Sequence, residues 1–309
     1  MRALVTGATG FIGSYLTERL LGAGAAVAVL VRPTANPWRI ADLLPRVTRI
    51  TGDLRELTPV EREIRDFAPE AVFHLAWHGV AGAQRNDPAQ LDANVQTTTD
   101  LVRLAVRAGC QTWIGVGSQA EYGPLNRVIA EDAPTEPTTA YGVAKLRAGL
   151  AAAELATEAG LRFAWLRVFS TYGPKDSPDW MLPYLIRTLL RGQTPALTGC
   201  EQKWDYLYVA DAADAIHRVA EMSAAAGVMN LGSGVACPLR EVVERVRDLV
   251  SPARALQFGA VPYRPDQVMH LQADIARLTR ATGWRPVTAL DEGLRRTVEW
   301  YRSAAAQKA

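Results

Sequence analysis

The chain has 309 residues, of which 49% are hydrophobic and 21% are charged, a composition typical of a globular protein with a substantial core. Its 34 Lys and Arg residues are balanced by 32 Asp and Glu residues spread along the sequence, a distribution that argues against a nucleic-acid partner. No segment reaches the ~18 apolar residues of a membrane span, so we expect no membrane association.

The first 170 residues alternate predicted strands with predicted helices. The first strand, residues 2–6, stops at Gly7 and is followed by apolar residues at helical spacing. Further strands are predicted at residues 25–31, 47–51, 71–76, 111–117 and 162–169, and helices at 92–108 and 141–159. This alternation predicts a parallel, doubly wound α/β sheet, whose ligands bind at the carboxyl ends of its strands.

The alternation becomes less regular after Gly173 and Pro174. A strand and a helix are predicted between residues 205 and 222, an amphipathic helix at 239–250, a strand near 255–259 and a final helix from residue 291. We therefore predict a first domain of residues 1–172, to which 205–235 return, and a smaller, interleaved carboxy-terminal α/β domain of residues 173–204 and 236–309.

The turn after the first strand has glycines spaced by three, at Gly7, Gly10 and Gly13. Such a turn allows a sharp change of direction, close approach of a diphosphate and close packing of the next helix, whose N-terminus offers free N–H groups. The position of the turn between a strand and a helix predicts a dinucleotide site. The residues that we expect to contact the dinucleotide there are Gly7, Thr9, Gly10, Phe11, Ile12 and Gly13.

The end of the second strand bears on the choice of cofactor. Sites for NAD(H) usually place Asp or Glu there to bind the ribose 2′-hydroxyl, whereas this chain has Arg32. Arg32, assisted by Arg39, could pair with a 2′-phosphate, so the residues favour NADP(H), with NAD(H) as the alternative. Asp53, after the third strand, is placed to accept from the adenine amino group.

Three residues suit the transfer of a proton. Ser118 follows a predicted strand, and Tyr141 opens a helix in which Lys145 lies one turn later on the same face. A neighbouring ammonium stabilises a phenolate and so lowers the pKa of the tyrosine from about 10. We expect Tyr141 to act as acid and base, Lys145 to assist it and to hold the nicotinamide ribose, and Ser118 to bind the reacting oxygen.

The sequence as a whole resembles the extended short-chain dehydrogenases/reductases, in particular the nucleotide-sugar epimerases, dehydratases and 4-ketoreductases. The motifs that carry the resemblance include the glycine turn, Gly52-Asp53-Leu54, His74-Leu75-Ala76, Asn94, Ser118, Tyr141-x-x-x-Lys145, Asp205 to Asp211, Asn230 to Gly234 and Thr282 to Pro286. The resemblance implies a Rossmann-type sheet with a small substrate domain, a nucleoside-diphosphate sugar bound between them, and a homodimer.

The resemblance also implies further site residues. To the cofactor site it adds Leu54, Leu75, Ala76, Asn94 and Phe169. Arg264 matches an arginine that binds the substrate diphosphate, and Ser170 stands where an asparagine usually contacts it. Trp204 occupies the position before Asp205 where an arginine is usual, and the neighbouring Lys203 could supply the missing positive charge. The substrate contacts expected are His78, Glu121, Tyr122, Ser170, Lys203 and Arg264.

The residues after Ser118 bear on the reaction. The 4,6-dehydratases that this chain resembles have Asp-Glu there, whereas Gln119-Ala120 stands here and Glu121 is displaced by one position, which argues against dehydration. Because Arg32 favours NADPH, we expect reduction of a 4-keto-6-deoxyhexose linked to a nucleoside diphosphate, with NAD-dependent 4-epimerisation as the alternative. A non-catalytic dinucleotide sensor is a third hypothesis, disfavoured because Tyr141 and Lys145 are both present.

The remaining polar residues suggest neither a metal site nor disulfides. The three cysteines, Cys110, Cys200 and Cys237, are far apart and lack paired metal-ligand spacing, and the four histidines show none either. The chain begins with a strand and shows no signal-peptide pattern. We therefore expect a cytoplasmic protein without a bound metal.

Overall fold

A computed structural model describes residues 1–80, 84–264 and 267–306. Its strands are β1 Arg2–Thr6, β2 Ala26–Val31, β3 Thr48–Thr51, β4 Ala71–His74, β5 Thr112–Ser118, β6 Arg127–Ile129, β7 Arg162–Val168, β8 Ser170–Tyr172, β9 Lys203–Tyr208, β10 Gly227–Leu231, β11 Ala236–Pro238 and β12 His270–Ala273. Its α-helices are α1 Phe11–Gly22, α2 Glu61–Phe67, α3 Ala89–Arg107, α4 Ala140–Glu158, α5 Met181–Leu190, α6 Val209–Glu221, α7 Leu239–Val250, α8 Ala276–Thr282 and α9 Leu290–Ala306.

Seven parallel strands form the central sheet, in the order β10-β7-β5-β4-β1-β2-β3. Its strands are apolar on both faces because helices cover both sides: Ala3 and Val5 of β1 belong to one buried cluster, and Leu4 belongs to another. Helices α1 and α6 pack together, as do α3 and α4. The predicted doubly wound sheet is therefore confirmed.

A second, five-stranded sheet lies beyond the central one. Four of its strands follow the order β11-β9-β12-β6, and β8 pairs with β9; β11 is antiparallel to β9, whereas the other pairs are parallel. A third apolar cluster joins α5, α7 and α9 next to β9. This is the smaller, interleaved α/β unit that the sequence predicts. Its strands β6 and β8 precede residue 173, so the domain boundaries proposed from the sequence stay a prediction.

Several elements differ from the sequence-based prediction. The strand expected near residues 255–259 is wrong: that segment forms turns and a single β-bridge between Gln257 and Ala196. Helices α5 and α8, strand β10 and the short strands β6, β8, β11 and β12 were not predicted. In contrast, α7 has the predicted bounds, because its apolar residues follow a strict helical period on one buried face.

The alanine-rich helix α4 is buried mainly within its own chain. Ala148 and Ala152 are fully buried, whereas Leu150 is 63% exposed. These two alanines therefore pack the core, and the homodimer stays a prediction. Among the described residues, no helix has the length and apolar character needed to cross a membrane, and no cluster of three or more His, Cys, Asp or Glu residues is arranged to hold a metal.

Candidate active site

The glycine turn has a backbone that tolerates no side chain at two positions. Gly7 has a positive φ of 76°, and a Cβ there would lie 2.5 Å from the amide nitrogen of Ala76. A Cβ on Gly13 would lie 2.1 Å from the carbonyl oxygen of Gly7. Gly10 caps α1 without a side chain, so the N–H groups of the first helical turn are not covered by a capping side chain. This cradle fits the diphosphate of a dinucleotide.

Arg39 braces this turn. Its Nη1 donates to the carbonyl of Thr9 at 3.3 Å and its Nε to the carbonyl of Lys175 at 2.7 Å, while the Lys175 amine donates back to the Arg39 carbonyl. The guanidinium also lies 4.5 Å from the centroid of the Trp38 ring. Arg39 is thus engaged by the protein, and the expectation that it assists Arg32 with a 2′-phosphate is not supported by its position.

Arg32 and Asp53 lie at neighbouring strand ends. The Asp53 carboxylate accepts from the Arg55 side chain at 2.7 and 3.1 Å and from its backbone N–H at 2.9 Å. These contacts, with a smaller contribution from Arg32, lower the pKa of Asp53 to about 2. Arg32 itself is exposed. The adenosine end of a dinucleotide is expected at these strand ends. Two arginines, Arg32 and Arg55, lie near the one carboxylate of Asp53 there.

Tyr141 and Ser118 meet at the carboxyl end of the central sheet. Ser118 ends β5 and accepts a hydrogen bond from the backbone of Ala120 at 3.1 Å, while Thr139 caps α4 by accepting from the N–H of Gly142. Burial raises the pKa of Tyr141, the hydrogen bond with Ser118 and the charge of Arg85 lower it, and Glu121 raises it. Ser118 therefore lies close enough to Tyr141 to affect its pKa, and the catalytic roles expected of both residues stay predictions.

Lys145 is close to Tyr141 but directed elsewhere. Its amine donates to the carbonyl of Val116 at 2.7 Å, lies 3.7 Å from the centroid of the Trp77 ring and lies 5.9 Å from that of the Tyr141 ring. Burial lowers the pKa of Lys145 to about 7, against a smaller opposing effect of Glu121. The charge of Arg85 lowers the pKa of Tyr141, and the assistance expected from Lys145 stays a prediction.

Glu121 and Tyr122 lie in the interior instead of lining a sugar pocket. Glu121 is 1% exposed and accepts from the Ser118 backbone at 2.8 Å, from the Trp165 indole at 3.0 Å and from Arg167 at 2.7 Å. The Tyr122 hydroxyl donates to Asn230 at 2.7 Å. Their assignment as substrate contacts is therefore corrected: direction of a side chain cannot be read from nearness in sequence to Ser118.

The loop after β4 is fixed by Asn94. Its side-chain oxygen accepts from the backbone of His78 at 3.0 Å, and its nitrogen donates to the carbonyls of His78 and Gln90 at 3.1 and 2.9 Å. Asn94, expected in the cofactor site, thus orders the loop that borders this site. The imidazole of His78 belongs to an exposed residue, and its role in binding a sugar stays a prediction.

His74 is a buried structural histidine. One ring nitrogen lies 2.9 Å from the Thr6 hydroxyl and the other 3.1 Å from the Thr98 hydroxyl. Burial, together with the charge of Lys145, lowers the pKa of His74 to about 3. The ring is therefore neutral at physiological pH and joins β1, β4 and α3.

The remaining expected cofactor residues occupy three places. Leu75 and Ala76 border the glycine turn, with their backbone N–H groups donating to the carbonyl and hydroxyl of Thr6. Leu54 packs against one core cluster. Phe169 is 7% exposed and packs with Tyr122, Ile129 and Leu271 in one apolar cluster, and its contact with a cofactor stays a prediction.

The three residues expected at the substrate diphosphate lie on the second unit. Ser170 begins β8 opposite Tyr206 of β9, and Lys203 begins β9 and is exposed. Arg264 is exposed, and its carbonyl accepts from the Gln267 backbone at 3.1 Å. Their binding roles stay predictions.

Two site residues escaped the sequence analysis as functional groups. Trp77 lies edge-on to Tyr141, with ring centroids 6.1 Å apart, and its indole donates to Gln90 at 3.2 Å. Arg85 lies with its guanidinium carbon 4.9 Å from the centroid of the Tyr141 ring. Arg85 lies in a loop, where the sequence has no periodic pattern that could indicate its partners. Its place beside Tyr141 is seen only in the folded chain.

The chain is similar to proteins of known type over nearly its whole length. The sequence profile of the NAD dependent epimerase/dehydratase family matches residues 3–232. A dTDP-glucose 4,6-dehydratase of Streptomyces griseus is 30% identical over 96% of this chain and 93% of its own length, and a UDP-glucose 4-epimerase of Mycolicibacterium smegmatis is 29% identical over 98% and 99%. The structure of a Thermus thermophilus UDP-glucose 4-epimerase in complex with NAD is 29% identical, covers 98% of this chain and all of that one, and superposes with a TM-score of 0.86.

Proposed function

The chain belongs to the NAD dependent epimerase/dehydratase family, whose members similar to it act on nucleotide sugars, and on this basis we propose that it is a 4-epimerase of a nucleoside-diphosphate hexose. The observation that carries the proposal is the environment of Ser118: Tyr141 lies beside it, whereas the nearby carboxylate of Glu121 is turned into the core. The site therefore holds the groups for one reversible proton transfer at one sugar hydroxyl.

The position of Glu121 argues against dehydration. Eliminating water from a sugar needs a second acid and base beside the tyrosine. The nearest carboxylate after Ser118 already accepts from three protein donors and is 1% exposed. Although a dehydratase is among the relatives, the residues of this chain favour a reaction without elimination.

The chain's own groups would act in a defined order. Ser118 would hydrogen-bond the sugar oxygen, Tyr141 would take the proton of a sugar hydroxyl and later return it, and a positive charge on Lys145, one helical turn after Tyr141, would add to the field that favours the phenolate. The nicotinamide cofactor, held by the glycine turn, supplies reversible hydride acceptance. Rotation of the keto sugar between the two transfers accounts for inversion at C4.

The hydrogen bonds that hold the glycine turn in place favour a cofactor that stays bound between turnovers. Arg39 links Thr9 of the turn to Lys175, so the cradle is ordered in advance and binding costs little conformational entropy. An epimerase recycles its cofactor within one turnover and benefits from such retention, whereas a reductase must exchange it.

A second candidate, an NADPH-dependent 4-ketoreductase acting on a nucleoside-diphosphate 4-keto-6-deoxyhexose, is favoured by Arg32. With Arg32 and Arg55 beside the single carboxylate of Asp53, the adenosine edge carries an excess positive charge that suits a 2′-phosphate. In this reaction Tyr141 would donate its proton to the developing alkoxide, and Ser118 would stabilise it.

One comparison decides between these functions. Purified protein is first extracted and assayed for bound NAD, then offered UDP-glucose, and separately 4-keto-6-deoxyhexoses linked to CDP, dTDP, GDP or UDP together with NADPH. Retained NAD with interconversion of UDP-glucose and UDP-galactose supports the epimerase. Loss of NADPH absorbance with a keto sugar and no interconversion would establish the reductase instead, and cofactor binding without either reaction would point to a sensor.

A further inference from the structure

Arg85 is joined to the catalytic helix by its backbone. Its carbonyl accepts the N–H of Tyr141 at 2.9 Å, and this N–H belongs to the first turn of α4, where helical N–H groups lack partners within the helix. The segment around Arg85 is held in turn by Trp77, whose indole donates to Gln90, and by the Gln90 side chain, which donates to the carbonyl of Gln84. The position of Arg85 relative to Tyr141 is thus set by several hydrogen bonds.

The side chain of Arg85 covers the Tyr141 ring. The guanidinium carbon lies 4.9 Å from the ring centroid, within the range of a cation–π interaction. Arg85 is half-buried, so water screens its charge only in part. A cation at this place interacts more favourably with a phenolate than with a phenol, since the phenolate carries a full negative charge.

The other charged groups around Tyr141 are less well placed than Arg85 to stabilise its phenolate. Lys145, on α4, donates to the Val116 carbonyl and lies against Trp77. Glu121, in the helical turn after β5, disfavours the phenolate, and the Ser118 hydroxyl favours it. Burial also lowers the pKa of Lys145, which weakens its charge as a partner for the phenolate.

We propose that Arg85 is a positioning residue that holds the Tyr141 ring beside Ser118 and stabilises its phenolate form. The inference deepens the proposed function, since it rests on Tyr141 as the acid and base. In the epimerase reaction the proton of the sugar hydroxyl moves to the Tyr141 oxygen and later returns, so a cation that favours the phenolate lowers the pH at which the enzyme is ready to accept that proton.

The test measures Tyr141 directly, without substrate. Tyrosinate absorbance is recorded during alkaline titration of the cofactor-free protein, and subtracting the curve of Tyr141→Phe isolates the titration of Tyr141. The same subtraction is made for Arg85→Gln and Arg85→Lys, each with and without Tyr141→Phe. Arg62→Gln is the matched control, since this residue of α2 has a side chain that is 92% exposed.

We expect the Tyr141 midpoint to rise by about one pH unit in Arg85→Gln, by clearly less in Arg85→Lys, which keeps the charge, and not at all in Arg62→Gln. An unchanged midpoint in Arg85→Gln, or equal shifts in Arg85→Gln and Arg85→Lys, would overturn the proposal. If the protein turns over UDP-glucose, the alkaline rise of kcat/KM should shift in the same order. If it does not, the proposed reaction fails, but the titration still decides the role of Arg85.

Discussion

The Glu121 carboxylate accepts a hydrogen bond from Arg167 at 2.7 Å, and the two side chains are only 1% and 6% exposed. Because Glu121 also accepts from the backbone of Ser118, this buried ion pair fixes the end of β5, where the candidate catalytic serine lies. Loss of this pair should therefore both destabilise the core and displace Ser118.

Arg167→Met should destabilise the protein strongly, because it leaves the Glu121 carboxylate buried without its cation. We expect a loss of about 3–5 kcal/mol in the free energy of unfolding, measured by urea denaturation. Arg107→Met removes an exposed pair with Glu61 and serves as the control, with an expected loss below about 1 kcal/mol. Similar losses in both variants would contradict the special position of the buried pair.

Gly13→Ala should weaken cofactor binding. The added Cβ would lie 2.1 Å from the Gly7 carbonyl oxygen, so the turn or α1 must shift, at a cost of about 1–3 kcal/mol, or roughly ten- to hundredfold in Kd. Titration of the apoprotein with NAD and NADP measures this. Gly22→Ala lies on the same helix with no atom within 4 Å of the new Cβ, and its affinity should equal that of the wild type.

The fold and the glycine turn were predicted from the sequence, but the short strands and the directions of the site side chains were not. A continuous apolar run such as residues 71–73 indicates a strand that is buried on both faces of a sheet. Strand β6, with three residues, is too short to show a period, and the strand with which it pairs, β12, lies far away in the sequence. Likewise, Glu121 follows Ser118 closely, but the cation that turns it inward, Arg167, is supplied by β7.

Tyr141→Phe should lower kcat by about 10²–10⁴, since it removes the acid and base but keeps the ring. The variant should bind the cofactor with unchanged affinity because the glycine turn is distant in sequence and intact. Single-turnover kinetics with the substrate found active measures the first property and cofactor titration the second. A variant that keeps more than a tenth of the wild-type rate would remove Tyr141 from the proposed chemistry.

Arg32→Asp should change the choice of cofactor. The exposed Arg32 contributes to the positive field at Asp53, and a carboxylate in its place would repel a 2′-phosphate and accept a ribose 2′-hydroxyl. We expect NADP(H) to lose at least about tenfold in affinity relative to NAD(H). Equal changes for both cofactors would show that Arg32 does not contact this end of the dinucleotide.

Asp176→Asn should alter the dependence of stability on pH. Burial raises the pKa of Asp176 to about 7 from its ordinary value of 3.8, so between these values the native state binds more protons than the unfolded state. The wild type therefore loses stability as pH rises from about 4 to 7, whereas the variant lacks this loss. Relative to the wild type, the Tm of Asp176→Asn should be about 2–4 °C higher at pH 8 than at pH 5; an unchanged difference would contradict this.

The order β11-β9-β12-β6 of the second sheet has a consequence for synthesis of the chain on the ribosome. Strand β6 is complete at Ile129, but β12, the strand that separates it from β9, ends only at Ala273. The carbonyl of Ile129 also accepts from Asn230, which is likewise made later. The central sheet thus has most of its strands while the second sheet is still incomplete, and a nascent chain halted before residue 270 lacks the strand that joins β6 to β9.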